Sequence, residues 1–529
     1  MGPLGFVAIF GTFNAELNLK SIEVNLMLSP WLRLVRNCSL STLLLVVVAG
    51  PEGFAQTGKD FSGLRSLSAS GALATGFAVN LRTGEILGEW NPDTRMTPAS
   101  VSKVVLAAAA LERFGSEYSI ETRFYSTGPV KNGVLKGDLV FEGAGDPSLT
   151  NEKLWFLTTD VARAGIRKVE GQLVVNTSRF GYIEPDIDRK LAARRSRHAY
   201  DSPLSAAAVN FSVMGVVVSP GESPGAKAHL ALEPYDLDTT RVQGSVKTQG
   251  GDLSRVAVTR TRAGLQDVFT ASGHVGQLSW PTRIYRSVSD ADQYAGAVLK
   301  AFLEKEGIQI PRGFRIERQP RKDMGRPLAS VEGFPMAWQL MGLFKVSNNF
   351  IADMMTILLD LDDKKQFGAT LDGGSNQLEN YMSFVLQKAK NPFQSNPDGI
   401  VMHSGSGLTH ENKLSARDVV AVLQRMYLNS REFPAFLNAL PVPGAEGTVK
   451  KRFQSEQTKH LRDRLRAKTG TLSEPHDAVG LAGYSRLKDG DWVAFCAMVN
   501  GTSKRPNVGI EFARDTIDDD LGRLLPPEL

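Results

Sequence analysis

Three short groups of side chains could do chemistry in this chain, and their order is informative. The first is Ser100-Val101-Ser102-Lys103, at the opening of an apolar helical stretch. A serine hydroxyl is a poor nucleophile until a base takes its proton, and the i, i+3 spacing puts Lys103 on the same helical face as Ser100. The start of a helix also offers unpaired N–H groups to an anionic intermediate, and its positive end opposes protonation of Lys103. Alone, Ser-x-x-Lys is weak, since ordinary residue usage gives roughly two chance matches in a chain of this length. Ser485-Arg486-Leu487-Lys488, in a polar turn, is one such match.

The second group is Ser347-Asn348-Asn349, ahead of a helix whose Ile351, Met354, Met355 and Leu358 face inward. Standing alone it reads as a helix N-cap. The third is Lys468-Thr469-Gly470-Thr471. A cation beside hydroxyls on a strand edge suits a carboxylate, and the glycine lets a ligand backbone approach the strand closely.

The elements that must position these groups follow from periodicity. Apolar stretches on either side of Arg82-Thr83-Gly84-Glu85 predict a hairpin over 77–90. Pro98 marks entry to a helix in which Val101, Val104, Val105, Ala108 and Leu111 keep one apolar face, and Phe114-Gly115 ends it. From about Phe124 to Ile316, strand-like runs at 134–141, 172–175, 211–218 and 255–258 alternate with Gly- and Pro-rich turns, which predicts a β-rich region. Helical spacing returns over 334–359 and 416–428, the latter opened by a capping box at Ser415-Ala416-Arg417-Asp418. Strands at 478–484 and 492–499 flank Lys488-Asp489-Gly490-Asp491, and a helix follows over 508–525. The simplest arrangement is an α/β domain split in sequence into 56–123 and 334–529, around a β-rich insertion of two subdomains at 124–333.

Composition limits the alternatives. With 50 Gly and 26 Pro in 529 residues, the chain is neither collagen-like nor intrinsically disordered. A net charge of +5 demands no nucleic-acid partner. Cys38 and Cys496 are too far apart in context for a disulfide framework, and the seven histidines have no metal-ligand spacing, so no metal or cofactor is expected. Arg33 and Arg36, an apolar run over 43–49 and the small-x-small site Gly53-Phe54-Ala55 read as an export signal preceded by an upstream extension, with Met27 as the expected start. The expectation for 1–55 is therefore removal on export to the periplasm. No later apolar run approaches the ~18 residues of a membrane span. Gly221-Glu222-Ser223-Pro224-Gly225 matches a hydrolase elbow in letters only, the cluster Arg189, Lys190, Arg194, Arg195 and Arg197 reads as a solvated helix face, and Trp155 and Phe156 read as core of the insertion.

Taken together and in this order, the three groups resemble the S-x-x-K, S-x-N and K-T-G signature of the penicillin-recognising serine acyl-transferases. Lys103 and Ser347 stand 244 positions apart, similar to the insertion of the class C low-molecular-mass penicillin-binding proteins, the D-alanyl-D-alanine carboxypeptidase and endopeptidase family. Gly145-Asp146-Pro147-Ser148-Leu149-Thr150, Asn349-Phe350-Ile351-Ala352-Asp353-Met354, Ser406-Gly407-Leu408-Thr409 and Leu481-Ala482-Gly483-Tyr484 are also similar to that family, and the likeness covers 60–525.

The resemblance implies a split penicillin-binding, β-lactamase-like domain, with an antiparallel sheet flanked by helices. It implies peptidoglycan stem peptides and β-lactams as partners, and no cofactor. Ser100 would be the nucleophile and Lys103 its base. Ser347 would relay a proton to the leaving nitrogen, and Asn349 would hold the substrate amide. Lys468, Thr469 and Thr471 would bind the terminal carboxylate, with Gly470 between them. The oxyanion hole would be the N–H groups of Ser100 and Thr471, each worth ~3–4 kcal/mol of barrier. A neutral Lys103 requires a pKa about three units below ~10.4, or ~4 kcal/mol.

The chain departs from the family where many members have Asp-Gly-Ser-Gly-Leu-Ser-Arg. Here the stretch is Ser404-Gly405-Ser406-Gly407-Leu408-Thr409-His410, so His410 replaces the arginine implicated in holding the diamino acid side chain. Ser473-Glu474-Pro475-His476 likewise stands where some members place a glutamine. The competing readings are a serine β-lactamase, which needs a hydrolytic base that no Glu-x-x-Leu-Asn element supplies, and a penicillin-binding sensor without turnover.

Overall fold

In the sequence, the runs 73–80, 478–484 and 492–499 are apolar or small at nearly every position, the pattern of strands covered on both faces. The computed structural model describes residues 60–183 and 199–529; the expected export signal and the basic cluster at 189–197 lie outside the described residues. Helix α1 (Ser62–Ala69) leads into strands β1 (Leu73–Asn80) and β2 (Ile86–Trp90), and a 3-10 turn at Ala99–Val101 runs directly into helix α2 (Ser102–Phe114). After the inserted region come α3 (Met336–Lys345), α4 (Asn349–Leu359), α5 (Leu371–Lys388), α6 (Ala416–Leu428) and α7 (Phe433–Ala439). Strands β3 (Leu465–Leu472), β4 (Ala478–Arg486) and β5 (Trp492–Asn500) and helix α8 (Ile510–Leu524) follow.

The five strands form one antiparallel sheet in the order β3-β4-β5-β1-β2, so the N-terminal hairpin completes a sheet begun by the C-terminal strands. Leu73 pairs with Asn500 and Asn80 with Val493 across that junction. Strand alternation separates two cores. Phe77, Val79, Tyr484, Cys496 and Met498 pack with α2 and α6, whereas Ala78, Leu481, Phe495 and Val499 pack with α1 and α8 on the other face. Burial pushes the Cys496 thiol far up, so it is an inert core side chain.

Helix α2 departs from the expected single apolar face, because every residue from Ser102 to Leu111 is buried. Its run of four alanines, Ala107 to Ala110, lets neighbouring helices pack on the side that the spacing of larger residues leaves open. Over 334–359 the structure has two helices, divided at Val346-Ser347-Asn348.

Residues 121–332 carry strands at or near the expected runs, but 134–141 divides into Val134–Leu135 and Leu139–Glu142, which belong to different sheets. A mixed five-stranded sheet contains Phe314–Glu317, Leu173–Asn176, Leu139–Glu142, Glu121–Ser126 and Arg326–Glu332, and further three-stranded sheets lie between Val130–Lys131 and Thr282–Ser287. This region also contains helices Asn151–Arg163 and Ala291–Lys305, which the turn-rich text around them conceals. Trp155 and Phe156 are a correction: they are 48% and 55% exposed. Helical periodicity gives the inner face of Asn151–Arg163 to Leu154, Leu157 and Val161, and the two aromatic rings pack edge-on against each other at 4.9 Å outside it.

The capping box at α6 forms as expected and has a second duty. Ser415 N–H donates to Asp418 Oδ2 (2.9 Å) and Asp418 N–H donates to Ser415 Oγ (3.1 Å). Arg95, from the segment between β2 and α2, donates to both oxygens of the same fully buried carboxylate, at 2.8 and 3.2 Å. Asp418→Ala removes the box and leaves Arg95 without its anion, so urea unfolding should report a loss of ~2–4 kcal/mol. Asp418→Asn, which keeps a capping acceptor but not the charge, should fall between the two.

Candidate active site

Ser100 lies in the single 3-10 turn that opens α2, and Lys103 stands one turn further along. Lys103 Nζ is 2.9 Å from Ser100 Oγ, and its side chain is fully buried. The same nitrogen donates to Asn349 Oδ1 (2.8 Å) and to the Ser406 carbonyl (2.6 Å). Both of those partners are pure acceptors. Ser100 Oγ accepts from Lys103 Nζ and donates in turn to the Ser406 carbonyl at 3.3 Å, so the serine and the lysine share that acceptor.

Asn349 is brought to Lys103 by the break between α3 and α4. Asn348 takes the capping role, its Oδ1 accepting from Ile351 N–H at 3.0 Å, and this frees both Ser347 and Asn349 from it. Ser347 has φ +55°, a left-handed conformation costly for a non-glycine residue, and its hydroxyl accepts from Lys468 Nζ at 2.9 Å. Lys468 comes from edge strand β3 and also donates to the Thr469 carbonyl at 2.5 Å. Burial, followed by repulsion from Lys103, holds the Lys468 pKa well below the ordinary lysine range. All three sequence groups thus meet in one cluster with a pair of buried lysines at its centre.

Strand β3 runs beside the first turn of α2. A side chain at Gly470 would stand 2.6 Å from the Pro98 carbonyl and 3.1 Å from Val101 N, so only glycine allows that approach. Ala467 N–H points away from β4, donating to the Pro441 carbonyl at 3.1 Å. By strand alternation the N–H groups of Thr469 and Thr471 point to the same free edge. Thr469 Oγ1 donates to Thr448 Oγ1 (2.7 Å), and Thr471 Oγ1 donates to the Gly470 carbonyl (2.8 Å).

Several participants left no local signal. The loop 403–412 presents the Ser406 carbonyl to Lys103, and fully buried side chains hold that loop. Ser404 Oγ donates to Asp353 Oδ1 on α4 (3.0 Å), lies 2.6 Å from Ser406 Oγ, and accepts from Ser406 N–H (3.0 Å). Asn412 accepts from the N–H groups of His403 (2.7 Å) and Ser404 (3.3 Å) and donates to Ser102 Oγ (2.9 Å) and the Ser404 carbonyl (2.7 Å), using its whole amide. Gly407 has φ +70°, and a Cβ there would fall 1.9 Å from the Ala99 carbonyl, so the loop lies directly on the turn that carries Ser100. Arg514 on α8 donates to Thr471 Oγ1 at 3.2 Å and adds a cation at the end of the third group. A backbone carbonyl, or an arginine some forty residues downstream, has no spacing signature to find.

His410 stands apart from the buried lysine pair. Its ring Nε2 lies 3.0 Å from the His476 carbonyl, linking the loop after Ser406 to the segment after β3. These are the two positions at which the chain departs from the pattern it resembles.

A family profile described as the D-Ala-D-Ala carboxypeptidase 3 (S13) family matches residues 64–520. The chain is 25% identical over 433 residues to the D-alanyl-D-alanine carboxypeptidase DacB of Haemophilus influenzae, covering 80% of this chain and 85% of that one. It is 27% identical over 453 residues to a D-alanyl-D-alanine carboxypeptidase of an Actinomadura species, covering 82% and 78%. In three dimensions it is similar to the crystal structure of penicillin binding protein 4 from Haemophilus influenzae, with a TM-score of 0.69 and 23% identity over 87% of this chain and 98% of that chain. The mixed α/β fold is therefore that of penicillin-binding protein 4. Among the described residues no helix is long and apolar enough to cross a membrane.

The buried lysine makes a signed prediction about stability. Since the folded pKa of Lys468 is below its unfolded value, the unfolded chain binds more protons between the two, and stability rises with pH up to ~10.4. Lys468→Met should accordingly melt above the parent at neutral pH, and the difference should shrink as the pH approaches that limit. Melting temperature measured against pH for both proteins is the check, and a difference independent of pH would contradict it.

Proposed function

Because the chain belongs to the D-Ala-D-Ala carboxypeptidase 3 (S13) family, we propose that it cleaves the terminal D-Ala-D-Ala bond of peptidoglycan stem peptides through an acyl-Ser100 intermediate. The observation that carries this reading is the 2.9 Å approach of Lys103 Nζ to Ser100 Oγ, with the Asn349 amide oxygen and the Ser406 carbonyl accepting from the same nitrogen.

In the proposed sequence of events, neutral Lys103 takes the Ser100 proton as Oγ attacks the scissile carbonyl. Negative charge then develops on the carbonyl oxygen, where the N–H of Ser100 at the helix start and the N–H of Thr471 on the free strand edge stabilise it. Asn349 orients the substrate amide. The Ser347 hydroxyl, held by Lys468, relays the proton taken up by Lys103 to the departing D-alanine nitrogen, gaining one proton as it passes one on, so Lys103 is neutral again. Water then attacks the acyl-enzyme and regenerates Ser100.

Lys468, Thr469 and Thr471 receive the substrate's terminal carboxylate across Gly470, and Arg514 reinforces the positive potential there. β-Lactams carry a carboxylate and a strained amide in a similar relation and acylate the same serine. His410, tied to the segment after β3, lines the pocket for the diamino acid side chain of the stem peptide. A neutral imidazole there recognises a free carboxylate less well than a guanidinium does. Endopeptidase cleavage of cross-links is a second capability of the same acyl-enzyme. The export-like text before residue 56 supports a periplasmic place of work, where that polymer is found.

A fluorescent penicillin should label the protein covalently, and peptide mapping should find the adduct on Ser100. An adduct on Ser223 or Ser485, or none, would sink the assignment. Lys103→Ala should abolish acylation and leave the affinity for a carboxylate ligand nearly unchanged. Lys468→Ala should weaken that affinity by roughly 10- to 150-fold, the worth of a charge-assisted contact. Single-turnover acylation measured across ligand concentration separates the two effects.

A further inference from the structure

The inserted region carries a surface that the reaction at Ser100 does not use. In one of its sheets, strand Thr240–Gln249 pairs in parallel with Gln266–Gly276, which pairs antiparallel with Arg255–Ala263. The alternation of burial along these strands exposes one face to solvent. That face is basic. Lys247, His274 and Arg255 sit side by side across the three strands, with Arg241 further along. The three strands contain one acidic residue, Asp267, which is buried and paired with Arg260 on the opposite side.

Beyond the basic row, the sheet ends in two loops joined to each other. Leu278 N–H donates to the Gly251 carbonyl (2.9 Å) and Ser254 Oγ donates to Ser279 Oγ (3.1 Å). These loops present Leu253, Leu278 and Trp280, which are 75%, 78% and 90% exposed. Large apolar side chains that protrude this far from neighbouring loops have no role in the fold's own core. Glu222 and Asp252 are the acidic side chains close to the tip, and both are exposed.

We propose that this end of the insertion docks on an anionic lipid bilayer surface. Tryptophan and leucine on a loop tip partition into the headgroup region, and a row of cations behind them meets the negative surface potential of the same leaflet. A soluble polyanion would engage the basic row but would leave the apolar tip in water, so the combination favours lipid. The inference is independent of the chemistry at Ser100.

The test is co-sedimentation of the full chain with phosphatidylcholine vesicles containing or lacking phosphatidylglycerol, at low and high salt. The parent should bind the anionic vesicles, bind the neutral ones far less, and lose binding as salt rises. Leu278→Ser combined with Trp280→Ser, and separately Lys247→Glu combined with Arg255→Glu, should each weaken binding about ten-fold or more. All four side chains are outside the core, and penicillin acylation in solution serves as the control for folding and should not change. The proposal is overturned if no vesicle binds, if binding survives loss of Leu278 and Trp280, or if vesicles do not bind while the parent self-associates through Trp280.

Discussion

Two lysine side chains, Lys103 beside Ser100 and Lys468 beside Ser347, are withdrawn completely from water. An unpaired buried ammonium is far too costly to keep, so such a group must find acceptors or give up its proton. Here both happen. Asn349 Oδ1 and the Ser406 carbonyl serve Lys103, whereas Ser347 Oγ and the Thr469 carbonyl serve Lys468. Repulsion between the two cations adds to burial in holding Lys468 below the ordinary lysine range. The same destabilisation of charge that weakens the fold is what the proposed base role of Lys103 would draw on.

The acceptors come from separate parts of the chain, and this explains much of the architecture. Asn349 and Ser347 sit at the break between α3 and α4, Ser406 on a loop anchored by Asp353 and Asn412, and Thr469 on the edge strand of the central sheet. That sheet is in turn closed by β1 from the other end of the chain. An error in the β1–β5 register would move α2 relative to β3 and separate Ser100 from the strand edge. Gly470 and Gly407 mark the two places where backbone must lie directly on the turn that carries Ser100, and a single methyl group at either would push strand or loop away. Helix α2 is accordingly sealed in the core along ten residues, so Lys103 and the turn bearing Ser100 are carried by an element with little freedom to move.

Much of this was legible in the sequence because it is local. The i, i+3 relation of Ser100 and Lys103, the capping box at Ser415 and Asp418, and the hairpins on either side of Gly84 and Gly490 are each decided within a few residues by helical or strand periodicity. The order and spacing of the three groups carried the family resemblance, and with it the split domain. Helices Asn151–Arg163 and Ala291–Lys305 were lost inside the turn-rich insertion. Hydrophobicity alone puts Trp155 and Phe156 in the core, although the helix phase around Leu154 and Leu157 turns them outward.

What the sequence by itself determined, then, is which residue types meet a reaction: a serine with a lysine one turn away, a second serine and asparagine at a helix start, and a lysine on a strand. Only tertiary structure decided how they act. The capping duty falls to Asn348, which releases Ser347. The carbonyl that accepts from both Lys103 and Ser100 belongs to Ser406, and Arg514 reaches Thr471 from the last helix. Every residue carries the same backbone carbonyl, so sequence cannot mark the one that matters. The loss of proton affinity at Lys468 depends on the water excluded around it and on its nearness to Lys103, quantities that exist only once distant segments of the chain have packed together.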